Sequence, residues 1–167
     1  MPAGIKGIDH PKAISSVDAL LGKRELGNNV TVIGGGLVGC ECALDLAQKG
    51  KKVTLVELLD DLLSAGKPVP KMNAMMLKDL IADNHIEVKT GCAIEAVTDK
   101  GAVIKNNDGS QEEIAADDVI IAIGFKSENS LAKELYGKVQ MHTIGDSRSV
   151  ATIMNAVWDA YEIARNL

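Results

Sequence analysis

The sequence predicts an α/β fold: a parallel sheet flanked by helices, with an antiparallel β-meander appended, in a three-layer ββα order. Three observations predict it. A β-branched apolar run, "NVTVI", leads into a cluster of glycines, then a helical stripe, then a second run, "KKVTLVE". The step Asp108-Gly109 separates two short strand-like stretches and is a strong hairpin signal. A continuous apolar run, "DVIIAIGF" (118–125), suits a strand buried on both faces of a parallel sheet.

Residues 1–28 read as a lead-in with one helix near 13–21, in "HPKAISSVDALLG". "NVTVI" (Asn29–Ile33) is bounded by Asn and Gly and reads as a buried strand. Leu37, Cys40, Ala43 or Leu44, and Ala47 then recur at helical spacing. Lys49 and Gly50 close that helix, a cation in the last turn and Gly just beyond it. "KKVTLVE" supplies the second strand, and the unit has the length of a βαβ crossover, about 30 residues. A second helix follows Pro70, with Met72, Met76, Leu77, Leu80 and Ile81 in phase. Residues 86–97 are strand-like, "GAVIK" and "QEEI" flank the hairpin, and 138–146 reads as a further strand end. The chain finishes in an amphipathic helix with Ile153, Val157 and Tyr161 on one stripe. Strands alternate with helices, then meander, then return to a core strand, which is the order of a doubly wound, Rossmann-like sheet.

Composition narrows the function classes. The chain has 167 residues, enough for one domain with a sizeable core. Its net charge is −5 and it has no basic stripe, which argues against nucleic acid as a partner. One Phe, one Trp and two Tyr leave nothing to build a base-stacking platform. The longest apolar run, 119–125, is too short to cross a bilayer. The start, "MPAGIKGIDH", has no apolar segment of the signal-peptide kind. Three cysteines, an odd number, fit free thiols in a reducing compartment, so a cytoplasmic location is expected.

The stretch "IGGGLVGCE" (33–41) carries the chemistry. Gly34, Gly36 and Gly39 make G-x-G-x-x-G after a strand and into a helix, the context that gives this pattern meaning. Gly34 allows the tight turn, Gly36 lets a diphosphate approach the backbone, and Gly39 lets helix and strands pack closely. Gly35, Leu37 and Val38 complete the turn. The helix N-terminus then offers unpaired N–H groups and partial positive charge to that diphosphate. Glu57 ends the second strand, 23 residues after Gly34, where an acid accepts hydrogen bonds from a ribose. Leu58, Leu59, Asp60 and Asp61 follow it, with no Arg to receive a 2′-phosphate. NAD(H) is therefore expected over NADP(H).

"VIGGGLVGCECALDLAQKGKKVTLVE" resembles the NAD-binding domain of two-dinucleotide-fold flavoprotein reductases. The lead-in "AISSVDALLGK", the stretch "LYGKVQMHTIGD" and the final "IMNAVWDAYEIARNL" are most similar to the C-terminal half of Old Yellow Enzyme-like NADH:flavin oxidoreductases. These include 2,4-dienoyl-CoA reductase, 2-enoate reductase and trimethylamine dehydrogenase, the last with ADP in place of FAD. The resemblance implies that Glu41 lies near the nicotinamide end. It implies that Ala122 and Gly124, in "AIGF", belong to the Ala-x-Gly motif closing the NAD domain. Gly145 and Asp146, in "TIGD", match the flavin-site pair whose Asp contacts the ribityl chain of FAD.

That resemblance divides the chain into a lead-in from the flavin-domain side (1–28), an NAD(H)-binding domain (29–125) and a return segment with its helix (126–167). The family carries an earlier G-x-G-x-x-G for FAD, and an N-terminal barrel with FMN and an iron–sulfur cluster. None of these is in this sequence. The expectation is a nicotinamide domain of a larger enzyme, passing hydride from NADH to FAD for reduction of an enoate or dienoyl-CoA-type substrate, and inactive alone. Its expected partner is the flavin-binding domain, with the surface left exposed as a candidate homodimer patch. The alternative is a non-catalytic module that binds ADP or FAD, or senses redox state. A short-chain dehydrogenase does not fit: Tyr-x-x-x-Lys spacing finds Gln140 after Tyr136 and Arg165 after Tyr161.

The remaining residues read as structural. Cys40 and Cys42 suit small core positions, and Met72, Met75 and Met76 suit helix packing. His10, His85 and His142 are isolated, without metal-ligand spacing. The pairs Glu112–Glu113 and Asp117–Asp118 read as solvated turns. No catalytic acid or base stands out.

Overall fold

The computed structural model describes residues 4–66 and 68–166. Along the chain lie β1 (Ala13–Ser15), α1 (Ser16–Leu20), β2 (Asn29–Ile33), α2 (Leu37–Gln48), β3 (Lys52–Val56) and α3 (Lys71–Asp83). Then come β4 (Glu87–Lys89), β5 (Cys92–Val97), β6 (Gly101–Asn106), β7 (Gln111–Ala115) and β8 (Asp118–Ile121). α4 (Ser130–Leu135), a 3-10 turn (Gly145–Ser147) and α5 (Ile153–Ala164) complete it. The chain divides after Gly124 into two compact units.

The first unit holds the parallel sheet, in the order β1-β8-β2-β3-β4, and the antiparallel meander β5-β6-β7. Every pairing in the five-stranded sheet is parallel. Strand alternation sends Val30, Val32, Leu55 and Ile120 to one face, against Cys40, Ala43 and Leu46 of α2 and Leu77 and Ile81 of α3. The other face sends Ile33, Val56, Val119 and Ile121 against Cys92, Val97, Ala102 and Ile104 of the meander. Helices, sheet and meander are thus the three expected layers. Each Val, Leu or Ile among them contributes about 1.5–3 kcal/mol when fully buried.

Asp108-Gly109 makes the expected hairpin. Gly109 takes φ +86° and its N–H donates to the Asn106 carbonyl at 2.9 Å.

Four expectations change. The helix near 13–21 is shorter, because Ala13 and Ile14 pair with Val119 and Ile120 as an edge strand. Ser15 then caps the helix, its hydroxyl accepting from the Asp18 N–H at 3.0 Å. The strand at 86–97 is two strands in two sheets, broken at Gly91 with φ +66°. The run at 118–125 stops as a strand at Ile121, leaving Phe125 53% exposed. Residues 138–146 form no strand.

Two side-chain readings change as well. Met72, Met75 and Met76 are exposed, since α3 buries only Leu77 and Ile81. Asp118 is buried, not solvated. Its Oδ1 pairs with an Arg24 guanidinium nitrogen at 2.6 Å and its Oδ2 accepts from the Gly27 N–H at 2.7 Å. A charge leaves water when it is paired and hydrogen-bonded in this way, and the partner lies 94 residues upstream, beyond any local pattern.

In the second unit, α5 opens with the Asn155 Oδ1 accepting from the Thr152 hydroxyl (2.7 Å) and N–H (3.3 Å). Asp159 ties α5 to the 3-10 turn: its carboxylate accepts from Arg148 at 2.9 and 2.5 Å and from the Gly145 N–H at 3.1 Å.

Candidate functional site

The chain crosses from β2 to β3 on one side of β2, and returns as β8 on the other side. The carboxyl end of β2 is therefore a topological switch point, where open α/β sheets leave a crevice for ligands. The glycine turn occupies that end.

Each glycine meets a different environment. Gly34 has φ +110°, and a Cβ there would lie 2.5 Å from the Ala122 carbonyl oxygen. A Cβ on Gly39 would run into the Gly34 carbonyl oxygen. A Cβ on Gly35 would lie 2.5 Å from Leu62 Cδ2 and 2.9 Å from Glu57 Cβ. Only at Gly36, of these four, would a Cβ meet nothing within 4 Å. Three glycines are thus required by the fold itself, and the fourth faces open space. Gly36 is the N-cap of the 12-residue α2 and brings no capping side chain. The Cys40 N–H makes the first helical bond, to the Gly36 carbonyl at 3.0 Å. That leaves the amides of Gly36, Leu37, Val38 and Gly39 without partners inside the helix.

Glu57 follows β3 directly and is 6% exposed. Its Oε2 accepts from the Gly35 N–H at 2.5 Å and its Oε1 from the Leu59 N–H at 2.8 Å. A carboxylate has about four acceptor positions, so two are left for a ligand's hydroxyls. Beyond it, Leu63 has a left-handed backbone, φ 60°. The Leu63 N–H donates to the Gly35 carbonyl at 2.8 Å. The Cys40 thiol donates to the same oxygen at 3.3 Å. Burial, then the carboxylates of Glu57 and Glu41, push that thiol up to about 12, so it is a proton donor and no thiolate. Cys42 is pushed up to about 11 by burial and then by Asp45. Both cysteines are core residues, as their small size suggested.

Gly34, Gly35, Gly36, Gly39 and Glu57 are therefore brought together, with Leu37 and Val38 on the first turn. Ala122 joins them, its N–H donating to the Ile33 carbonyl at 2.8 Å. Glu41 is exposed on α2, and Gly124 is exposed with φ +95°. Gly145 and Asp146 belong to the second unit. There Gly145 takes φ +57°, and the Asp146 carboxylate accepts from the Ala151 N–H at 3.2 Å. Leu62, Leu63 and the Cys40 thiol were missed from sequence. Apolar side chains and a single thiol carry no local signal for a loop held in place through its backbone.

The profile of the pyridine nucleotide-disulphide oxidoreductases matches residues 2–158. The cinnamate reductase of Clostridium sporogenes is 44% identical over 168 residues, covering 98% of this chain and 24% of that protein. The NADH oxidase of Thermoanaerobacter brockii is 36% identical over 151 residues, 88% of this chain and 23% of that protein. The solved structure of a 2-naphthoyl-CoA reductase superposes on all of this chain with a TM-score of 0.92 at 28% identity, over 25% of its own length. The chain spans about a quarter of the length of these relatives. The resemblance drawn from the glycine, Ala-x-Gly and Gly-Asp motifs is the one these comparisons return. Among the described residues no helix is long and apolar enough to cross a membrane.

Proposed function

This chain belongs to the pyridine nucleotide-disulphide oxidoreductase family, and from that footing we propose that it is the NAD(H)-binding part of a larger NADH:flavin oxidoreductase acting on an enoate or an acyl-CoA thioester. The observation that carries the reading is the contrast among the glycines. The fold needs Gly34, Gly35 and Gly39 for its own packing, whereas Gly36 keeps free a space that a Cβ would fill. That space opens at an uncapped helix N-terminus beside a strand-end carboxylate.

The chain's own residues bind and orient. The amides of Gly36, Leu37, Val38 and Gly39, with the partial positive charge of α2, hold a diphosphate. Glu57 takes the adenosine ribose hydroxyls. A 2′-phosphate there would meet Glu57, with Asp60 and Asp61 close behind in sequence, so NADH is favoured over NADPH. Glu41, Ala122 and Gly124 line the nicotinamide side. NAD(H), when bound, supplies the hydride, and FAD in the parent enzyme accepts it; the protein supplies position and electrostatics.

Residues 126–167 are proposed to accompany the flavin-binding domain, with Gly145 and Asp146 toward the FAD ribityl chain; the lead-in falls in the first unit, whose sheet β1 joins. The exposed apolar stripe of α5 supports that division: Ile153, Val157, Trp158 and Tyr161 are each more than half exposed. A second copy of this chain on that stripe is the competing occupant. FMN and an iron–sulfur cluster would sit outside this chain. The substrate class rests on the relatives: cinnamate is an α,β-unsaturated acid, and 2-naphthoyl-CoA is an aromatic thioester. Free thiols fit a cytoplasmic location.

Titration calorimetry of this chain with NADH, NADPH, ADP and FAD tests the reading. NADH and ADP should bind and NADPH should bind more weakly. A chain that ignores both NADH and ADP, or prefers NADPH, overturns it. A chain that purifies yellow would move the glycine turn to FAD.

A further inference from the structure

Both backbone hydrogen-bonding groups of Gly35 are taken by the protein. Its N–H is held by Glu57 and its carbonyl oxygen accepts from both the Leu63 N–H and the Cys40 thiol. Beneath it, the buried Leu62 side chain occupies the space where a Gly35 side chain would go. The segment that supplies Leu62 and Leu63 holds Leu63 at φ 60°, a conformation costly for a residue with a Cβ, found where the surroundings enforce it. Leu63 itself is only partly buried, packed at the core's margin, and its N–H is held by the Gly35 carbonyl.

Resting on the nucleotide reading above, we infer that residues 58–64 form a strap that presets the glycine turn before any nucleotide arrives, and that Leu63 is its positioning residue. The strap acts through one bond, Leu63 N–H to the Gly35 carbonyl. It fixes the Gly35–Gly36 peptide, whose N–H is the first amide left for the diphosphate, while Glu57 keeps the Gly35 N–H. The diphosphate is then met by the amides from Gly36 onward, already in place. Pre-organisation of this kind raises affinity by cutting the ordering cost of binding. Leu63 acts through Gly35.

Two substitutions separate position from packing. Leu63→Gly keeps the N–H and tolerates positive φ, so it preserves the strap. Leu63→Val is β-branched and cannot hold positive φ without strain, so it displaces the donor. The measurements are titrations of the full chain with ADP and with adenosine, which keeps the ribose and lacks the diphosphate. L63V should weaken ADP by about tenfold, the loss of one well-placed hydrogen bond, and leave adenosine within about twofold. L63G should bind both ligands as the parent does. An ADP affinity unchanged in L63V, or lost equally in L63G, overturns the strap. Should L63V fail to unfold cooperatively, amide hydrogen exchange of the unsubstituted, nucleotide-free chain decides: protection at Leu63 supports the strap and free exchange there overturns it. If the parent binds neither ADP nor NADH, the nucleotide reading itself fails, an outcome distinct from parent binding that L63V leaves intact.

Discussion

The two units of the chain divide at Gly124 and are built by different physics. The first buries two apolar clusters, one on each face of its parallel sheet. From Phe125 onward no described residue is buried, and the apolar stripe of α5 faces outward. The first unit is held by transfer of side chains from water. The second is held by polar contacts within itself, chiefly Asp159 with Arg148 and the Gly145 N–H. The proposed nucleotide site sits on the region with the two buried clusters. The region bearing the proposed flavin-side pair is the one with the exposed apolar stripe.

The contrast is broken or upheld most directly by two truncations. Leu55 is fully buried in the sheet, and Leu55→Ala should cost about 2–5 kcal/mol. Trp158→Ala should cost less than about 0.5 kcal/mol in urea unfolding of this chain. Equal costs would mean that α5 is covered after all.

Within the first unit, the glycines divide the same way between fold and ligand. Gly39→Ala drives a Cβ into the Gly34 carbonyl and should cost about 1–3 kcal/mol of stability. Gly36→Ala has open space and should leave the melting temperature almost unchanged. It should still weaken NADH by about tenfold or more, read by calorimetry.

Alkali should loosen the first unit selectively. Its fold keeps the Cys40 and Cys42 thiols protonated above the pH at which an unfolded thiol ionises. Their contribution is whole below the ordinary value, 9.0, and drains away as pH rises toward about 12 for Cys40 and about 11 for Cys42. The double variant Cys40→Ala/Cys42→Ala should show a shallower loss of stability between pH 9 and 10.5 in urea titrations, on the order of this thiol linkage.

Within the second unit, acid should have the smallest effect. The Arg148 guanidinium beside Asp159 holds its carboxyl below the ordinary 3.8. That contribution is present above 3.8 and is lost as pH falls through the depressed value. The pair is exposed, so screening keeps it weak. Asp159→Asn should lower the amide protection factor at Gly145 near neutral pH and abolish its further fall in acid.

The sequence by itself determined the β2–α2–β3 unit, the glycine turn, the acid at its strand end, the hairpin at Asp108-Gly109 and the two-faced burial of β8. Each is written in periodicity, turn chemistry or fixed spacing along a few tens of residues. Only the tertiary structure decided that Ala13–Ser15 is a strand, because an edge strand of three residues has no period and exists through its partner β8. It alone decided that Asp118 is buried, because Arg24 must be folded back to meet it. It alone showed that Leu63 stands left-handed, because the acceptor that holds it there, the Gly35 carbonyl, lies 28 residues away in sequence and a hydrogen bond apart in space.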